Sequence, residues 1–166
     1  MLFLGLAVCV GLVGVLMGYS IIRMKRPTDT SLVQQFQKNR TTFEELKQML
    51  LTDQHVDQVA RWGVSNTNSP VARTAKEAGL SEDRYKRYLE LLKRSGASAA
   101  IRDGHEIRFH VAGRGFASKG WRISITWTDA KPERIIASLD DFRKTTDKWE
   151  QAYRPLEHNW YLWIIW

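Results

Sequence analysis

An α+β fold is predicted for the 166-residue chain: an N-terminal transmembrane helix followed by one small antiparallel sheet covered by two amphipathic helices. Three observations predict it. Residues 1 to 22 carry no charged side chain, whereas all 25 basic and 18 acidic residues follow them. Residues 31–52 and 81–95 repeat apolar side chains at helical spacing, and residues 106–111, 121–127 and 160–166 read as strands. The average composition, 43% apolar and 26% charged, fits neither a disordered chain nor a polytopic membrane protein. With 11 glycines and 4 prolines, collagen-like and low-complexity architectures are excluded. The division that follows is a transmembrane helix at 1–22, a basic juxtamembrane linker at 23–30 and a single soluble α+β domain at 31–166, which carries with the linker the whole net charge of +7.

As a helix, the run from Met1 to Ile22 reaches ~33 Å, enough to cross a hydrocarbon core of about 30 Å. A cleaved secretory signal would need a basic flank ahead of a shorter apolar run, and nothing basic precedes this one. A lipoprotein anchor would need a small residue before the modified cysteine, where Val8 precedes Cys9. Arg23, Lys25 and Arg26 follow the span directly, so the positive-inside rule orients the domain towards the cytoplasm at the inner membrane, with an extracytoplasmic domain as the alternative. Gly11, Gly14 and Gly18 form a stripe of small residues along the span. Such a stripe suits self-association through the membrane, and it equally reflects the frequency of glycine in membrane helices.

Pro27-Thr-Asp-Thr-Ser31 reads as a stop followed by a helix start, and Leu32, Phe36, Phe43, Leu46 and Leu50 keep one face apolar to about residue 52. Between residues 52 and 79 the signals weaken. Residues 63–70 read as a loop, and Val56 to Trp62 as an extension of the helix or a short element of its own. Ser81 then caps a second helix: Glu82 and Asp83 lie in its first turn, Lys93 and Arg94 in its last, and Gly96 closes it. Asp103-Gly104 between extended flanks signals a hairpin. Ile107, Phe109 and Val111 alternate with Glu106, Arg108 and His110, and Trp121 to Trp127 alternate likewise, giving two strands with one wet face. Residues 132–141 allow either a helix or an extended turn. Trp160-Tyr-Leu-Trp-Ile-Ile-Trp166 is apolar on both faces and therefore belongs inside the sheet or under the helices.

The chemistry-bearing residues form no recognisable catalytic or metal motif. His55, His105, His110 and His158 have no ligand spacing, so no metal site is predicted, and Cys9 lies in the membrane segment, which removes a cysteine nucleophile. Gly113-Arg-Gly-Phe-Ala-Ser-Lys-Gly120 lacks the order and the following helix of a phosphate-binding loop. Arg108, Arg114, Lys119 and Arg122 nevertheless gather positive charge at a hairpin, where an anion or a partner could dock. The basic face of the second helix is explained by solvation, which leaves nucleic acid without support as a partner.

Ser118-Lys-Gly-Trp121, Ser138-Leu-Asp-Asp-Phe-Arg143 and Tyr153-Arg-Pro-Leu-Glu-His-Asn-Trp-Tyr-Leu-Trp163 resemble the C-terminal signature of small uncharacterised bacterial proteins with a membrane or lipoprotein anchor. The likeness covers roughly residues 80 to 166. It implies an architecture and a bacterial setting without a reaction. Two functions of different class follow. One is a single-pass, membrane-tethered, non-enzymatic interaction domain of a bacterial envelope, whose partners are the lipid bilayer and a protein, with no cofactor. The alternative is a membrane-anchored hydrolase or anion-binding protein that uses the basic hairpin.

Overall fold

The computed structural model describes residues 26–66, 69–116, 119–142 and 149–166, with side chains at all of these except 69–73, 115, 116 and 119. Thr28 caps helix α1 (Asp29–Lys38), its hydroxyl accepting from the Ser31 amide at 3.3 Å. The single helix expected over residues 31–52 is in fact two. Asn39 leaves helical geometry (φ −113°, ψ 17°), and its side-chain amide donates to the Gln35 carbonyl at 3.0 Å, in competition with the helical ladder. Helix α2 (Arg40–Thr52) begins directly after it. Helix α3 (Glu82–Ser95) has the termini that the sequence marks: the Ser81 hydroxyl accepts from the Arg84 amide at 3.2 Å, and Gly96 ends it in the left-handed region.

The strands are β1 (Val56–Ala60), β2 (Gly63–Asn66), β3 (Ser69–Arg73), β4 (Ala99–Asp103), β5 (Glu106–Phe116), β6 (Lys119–Thr128), β7 (Gln151–Glu157) and β8 (Trp160–Ile165). They form one sheet of eight in the order β3-β2-β1-β4-β5-β6-β8-β7, every neighbouring pair antiparallel. The expected single small sheet under two helices is thereby overturned: the sheet dominates the fold and three helices cover it. The difference arises in residues 56–73: Val56 to Trp62 read as a helix extension or a short element and residues 63–70 as a loop, but the stretch supplies three strands, β2 and β3 meeting near Asn66 and Ser69. The transmembrane helix is likewise no part of the described structure. No helix of the described residues is long and apolar enough to cross a membrane, and residues 1–22 lie outside them.

The helices lie on one face. Phe36 of α1 and Phe43 of α2 meet Trp160 of β8 and Phe109 of β5, with ring centroids 5.2 to 6.3 Å apart. Cross-strand partners project to the same side, so the register Phe109, Ile125, Leu162 marks a row of the core, and Ala100 and Val59 extend it to β1. β8 is interior, flanked by β6 and β7. Between β4 and β5 the turn is the two-residue loop Gly104-His105, one position beyond the Asp103-Gly104 signal. Its first residue has φ +59°, the requirement that favours glycine there.

Residues 132–141 form neither a helix nor a strand of the sheet. Ile135 makes an isolated parallel bridge to Tyr153, with the Ile136 and Tyr153 amides each donating across at 2.9 Å, which covers the outer edge of β7. Next to it, the Asp29 amide donates to the Asp140 carboxylate at 3.2 Å and the Leu139 amide to the Asp29 carboxylate at 3.0 Å, fastening α1 to this segment.

Candidate functional site

On the face away from the helices, alternation brings together Glu106, Arg108 and His110 of β5, Ser124 and Thr126 of β6, Trp163 of β8 and Tyr153 of β7. Arg108 stands opposite Thr126, and Ser124 opposite Trp163. Because the β6 side chains are small, the Arg108 guanidinium passes over this strand and stacks on the Trp163 ring, 4.5 Å from its centroid. Beneath this arch Ser124 and Thr126 are buried without any helix above them. The wet face expected of residues 121–127 is therefore dry at these two positions.

The arch is held by charge. Arg108 pairs with Glu106 at 2.5 Å and with Asp103 at 2.9 Å. The buried Tyr153 hydroxyl donates to the other oxygen of Glu106 at 2.5 Å. Burial pushes the Tyr153 phenol above its ordinary range, and the hydrogen bond to Glu106 and that carboxylate's charge push it further. Glu106 therefore spends both its oxygens on neighbours. Arg108, Glu106 and Tyr153 come from β5 and β7, far apart in sequence, so no local spacing announces the cluster. Thr126 Oγ1 and His110 Nδ1 are buried without a hydrogen-bond partner among the described residues.

His110 lies against Gly113. A Cβ at residue 113 would stand 3.0 Å from the imidazole Cε1 and 3.3 Å from the Trp121 carbonyl, so a side chain there would have to push the imidazole aside by a few tenths of an ångström. Burial lowers the His110 pKa, the Arg122 charge lowers it further, and a hydrogen bond with the Ile123 backbone partly opposes both. Since the unfolded chain binds this proton more readily, His110 stabilises the fold above the unperturbed value of 6.5, and that stability is lost as the pH falls below it. Thermal melts of the parent and of His110→Gln should show this: the parent loses stability below about pH 6.5, and the variant's profile is flatter over the same interval.

The four residues of the predicted basic hairpin are not brought to one point. Arg108 belongs to the arch. Arg114 is opposite Trp121 and Arg122 opposite Gly113, on alternate faces of the β5–β6 ribbon, and Lys119 is in register with Phe116. Arg26 donates to the Phe142 carbonyl at 3.2 Å and lies over the Trp166 ring, 5.4 Å from its centroid. Arg23, Lys25, Gly11, Gly14 and Gly18 lie outside the described residues. Among the described residues no three His, Cys, Asp or Glu side chains converge to hold a metal ion. No family model matches the chain, and neither a curated protein nor a solved structure does.

Proposed function

We propose that the chain is a membrane-tethered, non-enzymatic interaction domain, held to a bacterial envelope membrane through its apolar residues 1–22. The observation that supports a binding role over a catalytic one is the commitment of Glu106. A general base must be oriented towards a substrate proton and within hydrogen-bond reach of it. Glu106 instead receives Tyr153 on one oxygen and Arg108 on the other, at 2.5 Å each, so the ionisable cluster of the open face is a rigid support. The anion-binding alternative keeps part of its ground, because Arg114 and Arg122 are exposed and have no ion-pair partner among the described residues.

Fractionation of expressing cells tests the tether. The full chain is expected to stay with the membranes through high-salt and alkaline washes, and a chain lacking residues 1–22 to be released. Retention of that shortened chain after both washes would remove the tether from the proposal.

A further inference from the structure

We propose that one end of the sheet, led by the β5–β6 arm, docks on anionic phospholipid headgroups; the inference rests on the membrane-tethered reading above. A line of paired residues crosses the sheet through Ala60, Ala99, His110, Ser124 and Trp163. Beyond it β4 has ended, β8 pairs with β6 only as far as Arg122 opposite Ile165, and residues 114–116 and 119–121 pair only with each other, while Val111, Ala112 and Trp121 keep contact with the core. The arm thus projects past the sheet as a two-stranded ribbon. The turn containing Arg61 and Trp62 lies beyond the same line, and α3 delivers Arg94 to that end through Gly96 and the start of β4.

Charge separates the two ends. Arg40, Arg84, Arg87, Arg102, Arg108, Arg134 and Arg154 all form ion pairs. Arg61, Arg94, Arg114 and Arg122 have none among the described residues, and all four are exposed at the end defined above. At the opposite end the exposed carboxylates Asp103, Asp129 and Glu157 stand beside Arg108, His105 and Arg40, so that basic side chains there have acidic partners. Trp62 at the basic end is 62% exposed. Trp149, 54% exposed, adjoins Glu150, whose backbone exchanges hydrogen bonds with that of Trp166 at 2.8 and 3.1 Å, again at this end.

The position of the tether selects the occupant. Residues 1–25 lead into Arg26, which stacks on Trp166 at the basic end, so the apolar segment joins the domain on the side of the exposed tryptophans and of the arginines that have no ion-pair partner among the described residues. Tryptophan with arginine is the combination that suits a headgroup layer, and unpaired basic residues near an anionic leaflet are drawn to it. A nucleic acid would be met by the same charge, but nothing would place it at the tether.

The test uses the full chain carrying Cys9→Ala and one environment-sensitive fluorophore, either at Ser118→Cys between the strands of the arm or at His105→Cys at the other end. The probes are vesicles of phosphatidylcholine, alone or with added phosphatidylglycerol. The expected result is co-flotation with both vesicles, a blue shift of the residue-118 label only where phosphatidylglycerol is present, and no shift at residue 105. Arg114→Glu with Arg122→Glu should reduce the docked fraction about tenfold or more. Co-flotation with an aqueous residue-118 label, or an equal shift without phosphatidylglycerol, would overturn the docking and leave the tether standing. Failure to co-float would overturn both.

Discussion

A chain ending at Asn159 is expected to show no cooperative thermal transition, where the full chain shows one by circular dichroism. β8 is flanked by β6 and β7, so its removal unpairs two strands at once. Trp160, Leu162 and Ile164 are buried on the helix side, and Trp160 meets Phe36, Phe43 and Phe109 while its indole N–H donates to Glu44 at 3.0 Å. Each such side chain contributes about 1.5–3 kcal/mol, against a typical net stability of about 5–15 kcal/mol. Three of them, with Trp163 on the other face, amount to about 6–12 kcal/mol, comparable with that whole margin. A truncated chain that melts cooperatively near the parent temperature would place β8 at the periphery and refute the packing described above.

Replacing Glu106 by alanine is expected to cost about 3 kcal/mol, because it leaves the half-buried Arg108 and the buried Tyr153 hydroxyl without their shared acceptor. For a chain of this size that corresponds to a fall in Tm of roughly 6–12 °C. Tyr153→Phe should cost about 1–2 kcal/mol, and the double variant less than the sum, since both changes remove the same hydrogen bond. A Glu106→Ala variant as stable as the parent would show that the carboxylate is not a support. The binding reading would then lose the observation on which it stands.

The contrast between these two regions shows what the sequence makes legible. The strict alternation of residues 106–111 and 121–127 marks β5 and β6, and the two-sided apolarity of residues 160–166 requires an enclosed strand, because each pattern is a direct consequence of which faces are covered. Ser81, Glu82 and Gly96 mark α3 through groups that bond only locally. β1 to β3 lack such a mark: Gly63 to Asn66 is polar, and its place in the sheet is set by pairing with β1. Asn39 divides the first helix by one side-chain hydrogen bond, which the apolar spacing across it conceals. Of the predicted basic hairpin, the strands and the exposed positions of Arg114 and Arg122 are legible, whereas the capture of Arg108 by Trp163 depends on a contact 55 positions away across β6.

The small side chains beneath Arg108 also guard the alignment of β6. A one-residue slip of this strand would turn Ile123, Ile125 and Trp127 outward and carry Ser124 and Thr126 into the apolar layer below the helices. The same slip would lodge a bulky side chain where the guanidinium must pass, separating Arg108 from Trp163. Misalignment is thus penalised on both faces at once, which gives the central strand a proofreading device that a sheet with a featureless outer surface would lack.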